Sequence, residues 1–378
     1  MKILIIGPFP PTINGVTISN DFLRRWLQNH GDQVSCVNTE TGNISTEQGK
    51  KGRTRKAFRF MWLYRNVFKA AGKDVVYITI GQTFFGIMKY LPFIWWSKML
   101  GVPYVLHVHG GYLKTSYESM PSWQQHFIKN IIVQSSALIA LSDSLAKQLK
   151  SIFPSAPIQV VENFYDRALI DQQRKPRKEG PVRFIYLSNL MVGKGIVEFL
   201  EALHVLKDKG KQFTVAIAGG VEKGLDRTIQ DKLAPIKDYV TFLGLADFDK
   251  KKELLYSSDV FVLPTWYVME GQPISMIEAY VTGNWVVSTD QGGIPDVSGY
   301  PAFVKCPKQD SLGLAQVLEQ VMDKSMGNAW ETNETMATTR ERFHPDRFGM
   351  EVRSILNGEK APKYVTVKMQ QVKGEILN

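Results

Sequence analysis

Hydrophobic and polar positions divide the chain into two alternating kinds of segment. Short apolar runs rich in β-branched residues are separated by longer stretches in which apolar residues recur at helical spacing. Continuous apolar strands joined by helices are typical of a parallel sheet covered on both faces. We therefore expect an α/β protein with two doubly wound domains. The predicted strands are residues 2–7, 33–38, 74–80, 103–110 and 137–142 in the first half, and 182–188, 213–220, 239–244, 259–264 and 284–290 in the second.

The chain length also favours two domains, because 378 residues exceed the size at which a single core keeps growing. A polar, charged segment that ends in Gly and Pro separates the two sets of strands and predicts a linker. We expect an N-terminal domain at residues 1–165, a linker at 166–180, a second domain at 181–340, and C-terminal helices with a tail at 341–378. Alternating residues at 364–369 predict a short strand in that tail.

Cysteine content and hydropathy favour a cytoplasmic protein. Cys36 and Cys306, one in each half, cannot build a disulfide framework. The apolar run at the N-terminus is broken by Gly7 and Pro8, which favours a strand over a signal peptide. The most apolar stretch, residues 84–100, contains charges and a proline and is too short to cross a bilayer. We therefore predict no transmembrane helix.

Positive charge is concentrated in one segment. Residues 48–73 contain nine of the Lys and Arg residues and no acid, in a chain of net charge +10. Apolar residues there recur at helical spacing, which predicts a basic amphipathic helix. Such a helix suits an anionic membrane surface, and it is equally compatible with a surface helix that packs on its own domain. No nucleic-acid module accompanies the cluster, so we do not expect a nucleic-acid partner.

Two loops that follow predicted strands contain residues suited to a phosphate. Ligands of parallel sheets bind at the carboxyl ends of the strands. Gly15 follows the first strand and would let backbone N–H groups approach a phosphate, although it also suits an ordinary turn. Lys194 lies between two glycines before a predicted helix, where it could meet a diphosphate or be solvated.

Two glutamates flank the start of another helix in the second domain. Glu270 lies in the loop after strand 259–264, Pro273 is placed in the first helical turn, and Glu278 lies about one turn inside. The free N–H groups of residues 272–275 would form an anion site, and the carboxylates would accept hydrogen bonds from sugar hydroxyls. This combination favours a nucleotide sugar. Alternatively, Glu278 interacts with the helix dipole and Glu270 is a surface residue.

Neither of two candidate metal motifs is expected to bind a metal. Asp247 and Asp249 have D-x-D spacing but precede a helix, where aspartates favour the N-terminus. His107 and His109 share a strand face without further ligands nearby in sequence.

The segment EGQPISMIEA (270–279), followed by Gly283 and GGIPD (292–296), resembles the signature of retaining GT-B glycosyltransferases of family 4. Further segments match that family in the same order, and together they cover roughly residues 1–350: NGVTIS (14–19), HVHGG (107–111), LIALSDS (138–144), VVENFYD (160–166), SNLMVGKGIVEFLEAL (188–203), AIAGG (216–220), FLG (242–244) and LLYSSDVFVLPT (254–265). The resemblance implies a GT-B fold, in which two Rossmann-like domains face each other across a cleft. It also implies that the last helix crosses back to the first domain.

The resemblance assigns roles to individual residues. Glu278 would bind the nucleotide ribose, Glu270 and His109 would lie beside the donor sugar, and Lys194 would hold the diphosphate. Gly15 would let the first domain close on that diphosphate. Asn189 is also expected to bind the donor, but it stands where the family commonly has Arg, so it can donate a hydrogen bond to the diphosphate and cannot neutralise charge. The remaining donor-binding residues are expected in the loop and helix start at Gly271, Gln272, Pro273, Ile274 and Ser275.

These assignments predict a retaining hexosyltransferase that uses no metal or other cofactor. The donor would be a nucleotide-diphosphate sugar, UDP-linked rather than GDP-linked. The acceptor would be a glycan or lipid-linked glycan in cell-surface polysaccharide synthesis, with residues 50–73 and 84–100 on the inner face of the cytoplasmic membrane. Two alternatives remain: a sugar-nucleotide epimerase of related fold, and a non-catalytic subunit that binds nucleotide sugars. A dehydrogenase is disfavoured because the G-x-G-x-x-G fingerprint is missing.

Overall fold

The computed structural model contains two parallel β-sheets, each with six strands and helices on both faces. It describes residues 1–12, 14–40, 63–174, 180–325 and 329–362. Each sheet has its own apolar core. The two-domain α/β architecture predicted from the sequence is confirmed.

The first sheet has the strand order β2-β1-β3-β4-β5-β6, with every neighbouring pair parallel. Its central strands β3 and β4 are buried along their whole length, as expected for strands covered on both faces. The strands are β1 (Lys2–Gly7), β2 (Gln33–Asn38), β3 (Val75–Ile80), β4 (Tyr104–Val108), β5 (Ala137–Ala140) and β6 (Ile158–Val160).

The second sheet has the strand order β12-β11-β10-β7-β8-β9 and is also parallel throughout. The chain leaves β7 on one side and later returns to its other side, so the strand order reverses between β7 and β10. All ten predicted strands are present, whereas β6 and β12 were missed because each has only three residues. The strands are β7 (Val182–Leu187), β8 (Phe213–Ala218), β9 (Val240–Gly244), β10 (Val260–Leu263), β11 (Trp285–Ser288) and β12 (Phe303–Lys305).

Helices connect the strands, and several begin at a residue whose side chain caps them. Asn14 accepts hydrogen bonds from the N–H groups of Val16 and Thr17 at the start of α1, and Ser142 caps α6. The helices are α1 (Gly15–Asn29), α2 (Phe84–Met88), α3 (Leu91–Met99), α4 (Leu113–Glu118), α5 (Ser122–Val133), α6 (Asp143–Ile152), α7 (Ile196–Asp208), α8 (Asp226–Leu233), α9 (Phe248–Ser257), α10 (Ile274–Val281), α11 (Ser311–Ser325), α12 (Ala329–Arg342) and α13 (Pro345–Leu356).

The last helix, α13, packs on the first sheet although it follows the second sheet in sequence. Trp26 on α1 donates a hydrogen bond from Nε1 to Asp346 (3.1 Å), and Arg353 pairs with Asp32 (2.8 Å). A side chain at Gly349 would come within 2.2 Å of the Trp26 ring, so glycine permits this close approach. The domain limits 1–165, 166–180, 181–340 and 341–378 remain a prediction.

Two predicted elements lie largely outside the described residues. Residues 48–62 of the predicted basic amphipathic segment lie outside the described residues, and its described end includes a 3₁₀ helix at Arg65–Ala70. The strand predicted at 364–369 also lies outside them. Across the described ranges, none of the helices has the length and hydropathy needed to span a bilayer.

Candidate active site

Lys194 and Glu270 form a buried ion pair at the carboxyl ends of two adjacent strands. Lys194 follows β7 and Glu270 follows β10, and Nζ lies 2.6 Å from Oε2. The hydroxyl of Thr265 donates a second hydrogen bond to the same oxygen (2.9 Å). Within the described residues both bonds use Oε2, which leaves Oε1 able to accept from a ligand. The pair lies beside the reversal of strand order, where parallel sheets bind ligands.

The loop that carries Lys194 is held tightly against the loop after β10. The N–H of Trp266 donates to the carbonyl of Gly193 (2.8 Å), and Nζ of Lys194 lies 5.3 Å from the centre of the Tyr267 ring. Gly195 has φ +76°, and a Cβ there would lie 2.2 Å from the carbonyl oxygen of Pro264. Only glycine fits this position.

Glu278 is paired with a lysine that the sequence reasoning did not identify. Nζ of Lys251, on α9, lies 2.5 Å from Oε1 of Glu278, and the glutamate side chain is only 5% exposed. Lys251 also lies 5.4 Å from the centre of the Phe248 ring. Each of the two buried glutamates singled out in the sequence therefore has its own partly buried lysine partner.

The start of α10 lies between these two ion pairs. The helix begins at Ile274, so Pro273 is its N-cap and not part of the first turn as expected. Its free N–H groups are those of Ile274, Ser275 and Met276, further along the chain than the predicted range 272–275. A Cβ on Gly15, the first residue of α1, would lie 3.7 Å from Ile274 Cδ1. The first residues of two helices from different domains therefore lie next to each other.

Gln272 is bound to the segment that leaves the first domain. Its Oε1 accepts from the N–H of Asn163 (2.7 Å), and its carbonyl accepts from Nδ2 of Asn163 (2.7 Å). Its Nε2 donates to Glu162 (3.2 Å). The side chain of Gln272 thus holds the EGQP loop (residues 270–273) against the chain connection between the domains.

His109 lies across from the EGQP loop at the end of β4. A Cβ on Gly271 would lie 3.0 Å from the His109 carbonyl oxygen, which brings the two domains into contact here. Burial lowers the pKa of His109 to about 3, so its ring is neutral at physiological pH. Its Nε2 is buried and has no hydrogen-bond partner among the described residues. The centre of its ring lies 3.9 Å from that of His107, with the two rings tilted by 33°, and Nδ1 of His107 lies 2.5 Å from the Tyr77 hydroxyl.

The carbonyl oxygens of Asn189 and Lys194 both accept a hydrogen bond from the Tyr186 hydroxyl, each at 3.3 Å. The Asn189 side chain is exposed, next to Gly220. Asp247 caps α9 by accepting from the N–H of Lys250 (2.8 Å), as the sequence predicted for an aspartate before a helix. The described part of the chain contains no group of three or more His, Cys, Asp or Glu side chains placed to hold a metal.

This arrangement suits a ligand with both phosphate and hydroxyl groups. The free N–H groups of α10 and the Lys194 ammonium attract negative charge, whereas the N–H groups of Val16 and Thr17 on α1 are already bonded to Asn14. The carboxylates of Glu270 and Glu278 accept hydrogen bonds from hydroxyls on either side of that anion site.

Two protein-family models match the sequence of this chain. The model described as Glycosyltransferase Family 4 matches residues 13–169, and the model described as Glycosyl transferases group 1 matches residues 181–324. The chain belongs to the group 1 glycosyltransferases of the GT-B fold. The first range covers strands β2 to β6 of the first sheet, and the second covers the whole second sheet with the Lys194–Glu270 pair.

Relatives of this glycosyltransferase take part in the synthesis of several polysaccharides. The amylovoran biosynthesis glycosyltransferase AmsK of Erwinia amylovora is 32% identical over 149 residues, which are 36% of this chain and 35% of AmsK. GDP-mannose:cellobiosyl-diphosphopolyprenol alpha-mannosyltransferase of Xanthomonas oryzae pv. oryzae is 22% identical over 330 residues, 83% of each chain. The first curated relatives are matched over only 35% to 50% of their own length.

A solved glycosyltransferase structure shares the fold. The crystal structure of Anabaena HepE in complex with UDP superposes with a TM-score of 0.70 at 16% identity, covering 94% of this chain and all of HepE. At this identity the likeness confirms the GT-B fold predicted from the sequence.

Proposed function

We propose that this glycosyltransferase moves a sugar from a nucleotide-diphosphate donor to a glycan or lipid-linked acceptor with retention of anomeric configuration. The observation that carries the proposal is the Lys194–Glu270 pair beside the N-terminus of α10, with Glu278 one turn inside that helix. In the proposed complex Lys194 and the free N–H groups of α10 hold the diphosphate. Glu278 accepts hydrogen bonds from the ribose, and Glu270 accepts one from the donor sugar through Oε1.

In the proposed reaction the bond between the anomeric carbon and the diphosphate oxygen breaks while the acceptor oxygen attacks from the same face. The acceptor proton passes to the departing diphosphate, so no separate acid or base is required. Lys194 and the N–H groups stabilise the negative charge that develops on the phosphate. The neutral His109 ring hydrogen-bonds the donor sugar through Nε2 and contributes no charge. The proposed reaction uses no metal.

We propose UDP as the donor nucleotide. HepE, which shares the fold, has been crystallised with UDP and with UDP-glucose. The mannosyltransferase relative is named for GDP-mannose, so GDP-sugars are the natural alternative to test.

We also propose that the acceptor is lipid-linked and is met at an anionic membrane surface on the cytoplasmic side. The name of the mannosyltransferase relative specifies a diphosphopolyprenol acceptor. Helices α2, α3 and α5 of the first domain expose large apolar side chains: Phe85 is 80% exposed, and Trp95 and Trp123 are each 64% exposed. Exposed lysines near them in sequence, Lys98 and Lys129, would favour anionic lipid.

Vesicle co-sedimentation tests the membrane proposal. Binding should be stronger to anionic than to neutral vesicles and should fall when Phe85 and Trp95 are both changed to Ser. Leu312→Ser is the matched control, because Leu312 is 65% exposed on α11 of the second domain. Equal binding to both vesicle types, or no loss on neutralising the four cations Arg53, Arg55, Lys56 and Arg59, would contradict the proposal.

Donor turnover tests the reaction. Purified protein would be incubated with UDP-glucose or GDP-mannose, without metal, and the sugar first released to water followed by proton NMR. An α-linked donor should give the α-anomer first, and Glu270→Gln and Lys194→Met should reduce release. Initial β-anomer would rule out retention, and isomerisation of the nucleotide sugar without release would favour an epimerase.

A further inference from the structure

Glu162 and Asn163 lie where the chain leaves the first sheet, just after β6. Three hydrogen bonds join them to Gln272, at 2.7, 2.7 and 3.2 Å. All three residues are buried, with exposed fractions of 9% or less. Gln272 is two residues after Glu270 and two before the first residue of α10. The connection between the domains is therefore bonded directly to the EGQP loop.

Glu162 also binds two arginines from the second connection between the domains. Its Oε1 lies 2.5 Å from Nη2 of Arg342 and its Oε2 lies 2.9 Å from Nε of the same side chain. Arg347 approaches Oε2 to 3.4 Å. Arg342 ends α12 and Arg347 lies on α13, so these residues flank the point where the chain returns to the first domain.

The two connections are also bonded to each other without Glu162. The N–H of Tyr165 donates to the carbonyl of Phe343 (3.4 Å), and the Tyr165 hydroxyl donates to the carbonyl of Arg340 (3.1 Å). The side chains of Arg342 and Arg347 are only 21% and 18% exposed, so separating them from the buried carboxylate would be strongly unfavourable. Glu162 is therefore expected to stay with Arg342 and Arg347 when the domains change their relative orientation.

We infer that Glu162 is a positioning residue that fixes the EGQP loop relative to both interdomain connections. Its carboxylate links Arg342 and Arg347 on one side to Gln272 on the other. A change in domain orientation would then be transmitted to Glu270 and to the N-terminus of α10. The consequence for turnover rests on the donor role proposed above for Glu270, whereas the mechanical link does not.

Hydrogen exchange of the ligand-free full-length protein, followed by mass spectrometry, tests the link. Glu162→Gln keeps the shape of the side chain and removes the charge that pairs with Arg342, while Arg347 keeps its closer partner Glu351 (2.8 Å). Exchange in peptides covering residues 269–277 should accelerate by about tenfold or more, because local opening becomes easier. Arg353→Gln is the matched control, since Arg353 also joins α13 to the first domain, through Asp32, away from the EGQP loop. The control should leave those peptides unchanged.

Asn163→Ala provides a second variant if Glu162→Gln does not fold. It removes a hydrogen bond to the Gln272 carbonyl and leaves no buried charge unpaired, so the same peptides should accelerate. Unchanged exchange in the folded variants, or an equal acceleration in Arg353→Gln, would overturn the inference.

Steady-state release of UDP from UDP-glucose separates positioning from simple stability. Glu162→Gln should lower kcat by about tenfold while KM stays within about threefold, because Lys194 and Glu278 are bonded to neither Glu162 nor Gln272 and would still hold the nucleotide. A loss of thermal stability with unchanged kcat would make Glu162 purely structural and overturn its positioning role. If the wild-type protein is stabilised by no nucleoside diphosphate, the proposed function fails, and the exchange result still decides the mechanical link.

Discussion

Removing the Lys194 ammonium should reveal how strongly the ion pair holds Glu270 in the cleft. The two side chains are only 15% and 7% exposed and their charged atoms lie 2.6 Å apart. Deleting one partner of a buried pair costs about 3–5 kcal/mol, because the remaining charge stays buried. Thr265 still donates to Glu270, so we expect about 3 kcal/mol for Lys194→Met, the lower end of that range. For a domain of this size the cost corresponds to a fall in Tm of roughly 6–12 °C.

A double-mutant cycle isolates the interaction between the two side chains. Thermal or urea unfolding would be measured for Lys194→Met, for Glu270→Gln and for the double variant. The double variant should recover about 2 kcal/mol relative to the sum of the single changes, since it leaves no unpaired charge. Lys250→Met is the control, because Lys250 pairs with Glu253 on the exposed side of α9 and should cost less than about 1 kcal/mol. Additivity within about 0.5 kcal/mol would refute this account of the pair.

Three further predictions concern the surroundings of the site. Gly195→Ala should destabilise the protein by well over the roughly 1 kcal/mol expected for Gly210→Ala, because both glycines have positive φ but only Gly195 faces a backbone oxygen. Unfolding of both variants checks this, and equal free-energy costs would contradict it. Lys251→Gln should weaken UDP binding, measured by calorimetry, by about three- to tenfold, because Glu278 loses the partner that orients it. An unchanged affinity for UDP would show that Lys251 plays no part in nucleotide binding. Burial, reinforced by Glu162 and opposed by Arg347, raises the pKa of Glu351 to about 7 from 4.5. The folded state therefore binds the extra proton, and the free energy of unfolding should fall by up to about 3 kcal/mol as pH rises from 4.5 to 8. Glu351→Gln should flatten this pH dependence, and a variant with an unchanged slope would contradict the prediction.

The strands and the neighbourhood of the ion pair followed from the sequence because both depend on simple rules. Apolar runs located ten of the strands, and parallel topology placed the loops after β7 and β10 at one edge of the sheet. Lys194 and Glu270, 76 residues apart, could therefore be assigned to one region before their contact was known. The three-residue strands β6 and β12 carry too little pattern to be recognised.

Side-chain partners could not be predicted in the same way, because they depend on helix phase and on packing between domains. Three consecutive lysines on α9 illustrate this. Lys250 pairs with Glu253, Lys251 with Glu278 and Lys252 with Asp171. Successive helical residues point about 100° apart, so only the three-dimensional position of each acid determines which lysine reaches Glu278.

The contacts of Gln272 were missed for a related reason. The EGQP loop suggested backbone N–H groups directed at a ligand, but its glutamine bonds to Asn163, which is 109 residues away in sequence. The segment VVENFYD was recognised only as part of a family pattern, and nothing in one sequence connects it to residue 272. Long-range polar contacts between domains leave no periodic signal.

Nucleotide binding tests the central claim most directly. Thermal unfolding would be measured without metal in the presence of UDP, GDP, ADP and NAD, for the wild type and for Glu278→Ala and Lys194→Ala. A ligand at 100 times its Kd should add about 2.7 kcal/mol to the stability, a readily measured rise in Tm. The account predicts a rise with one nucleoside diphosphate, UDP foremost, that both variants lose. No rise with any diphosphate, or a rise that survives in both variants, would contradict the assignment of this cleft as the donor site.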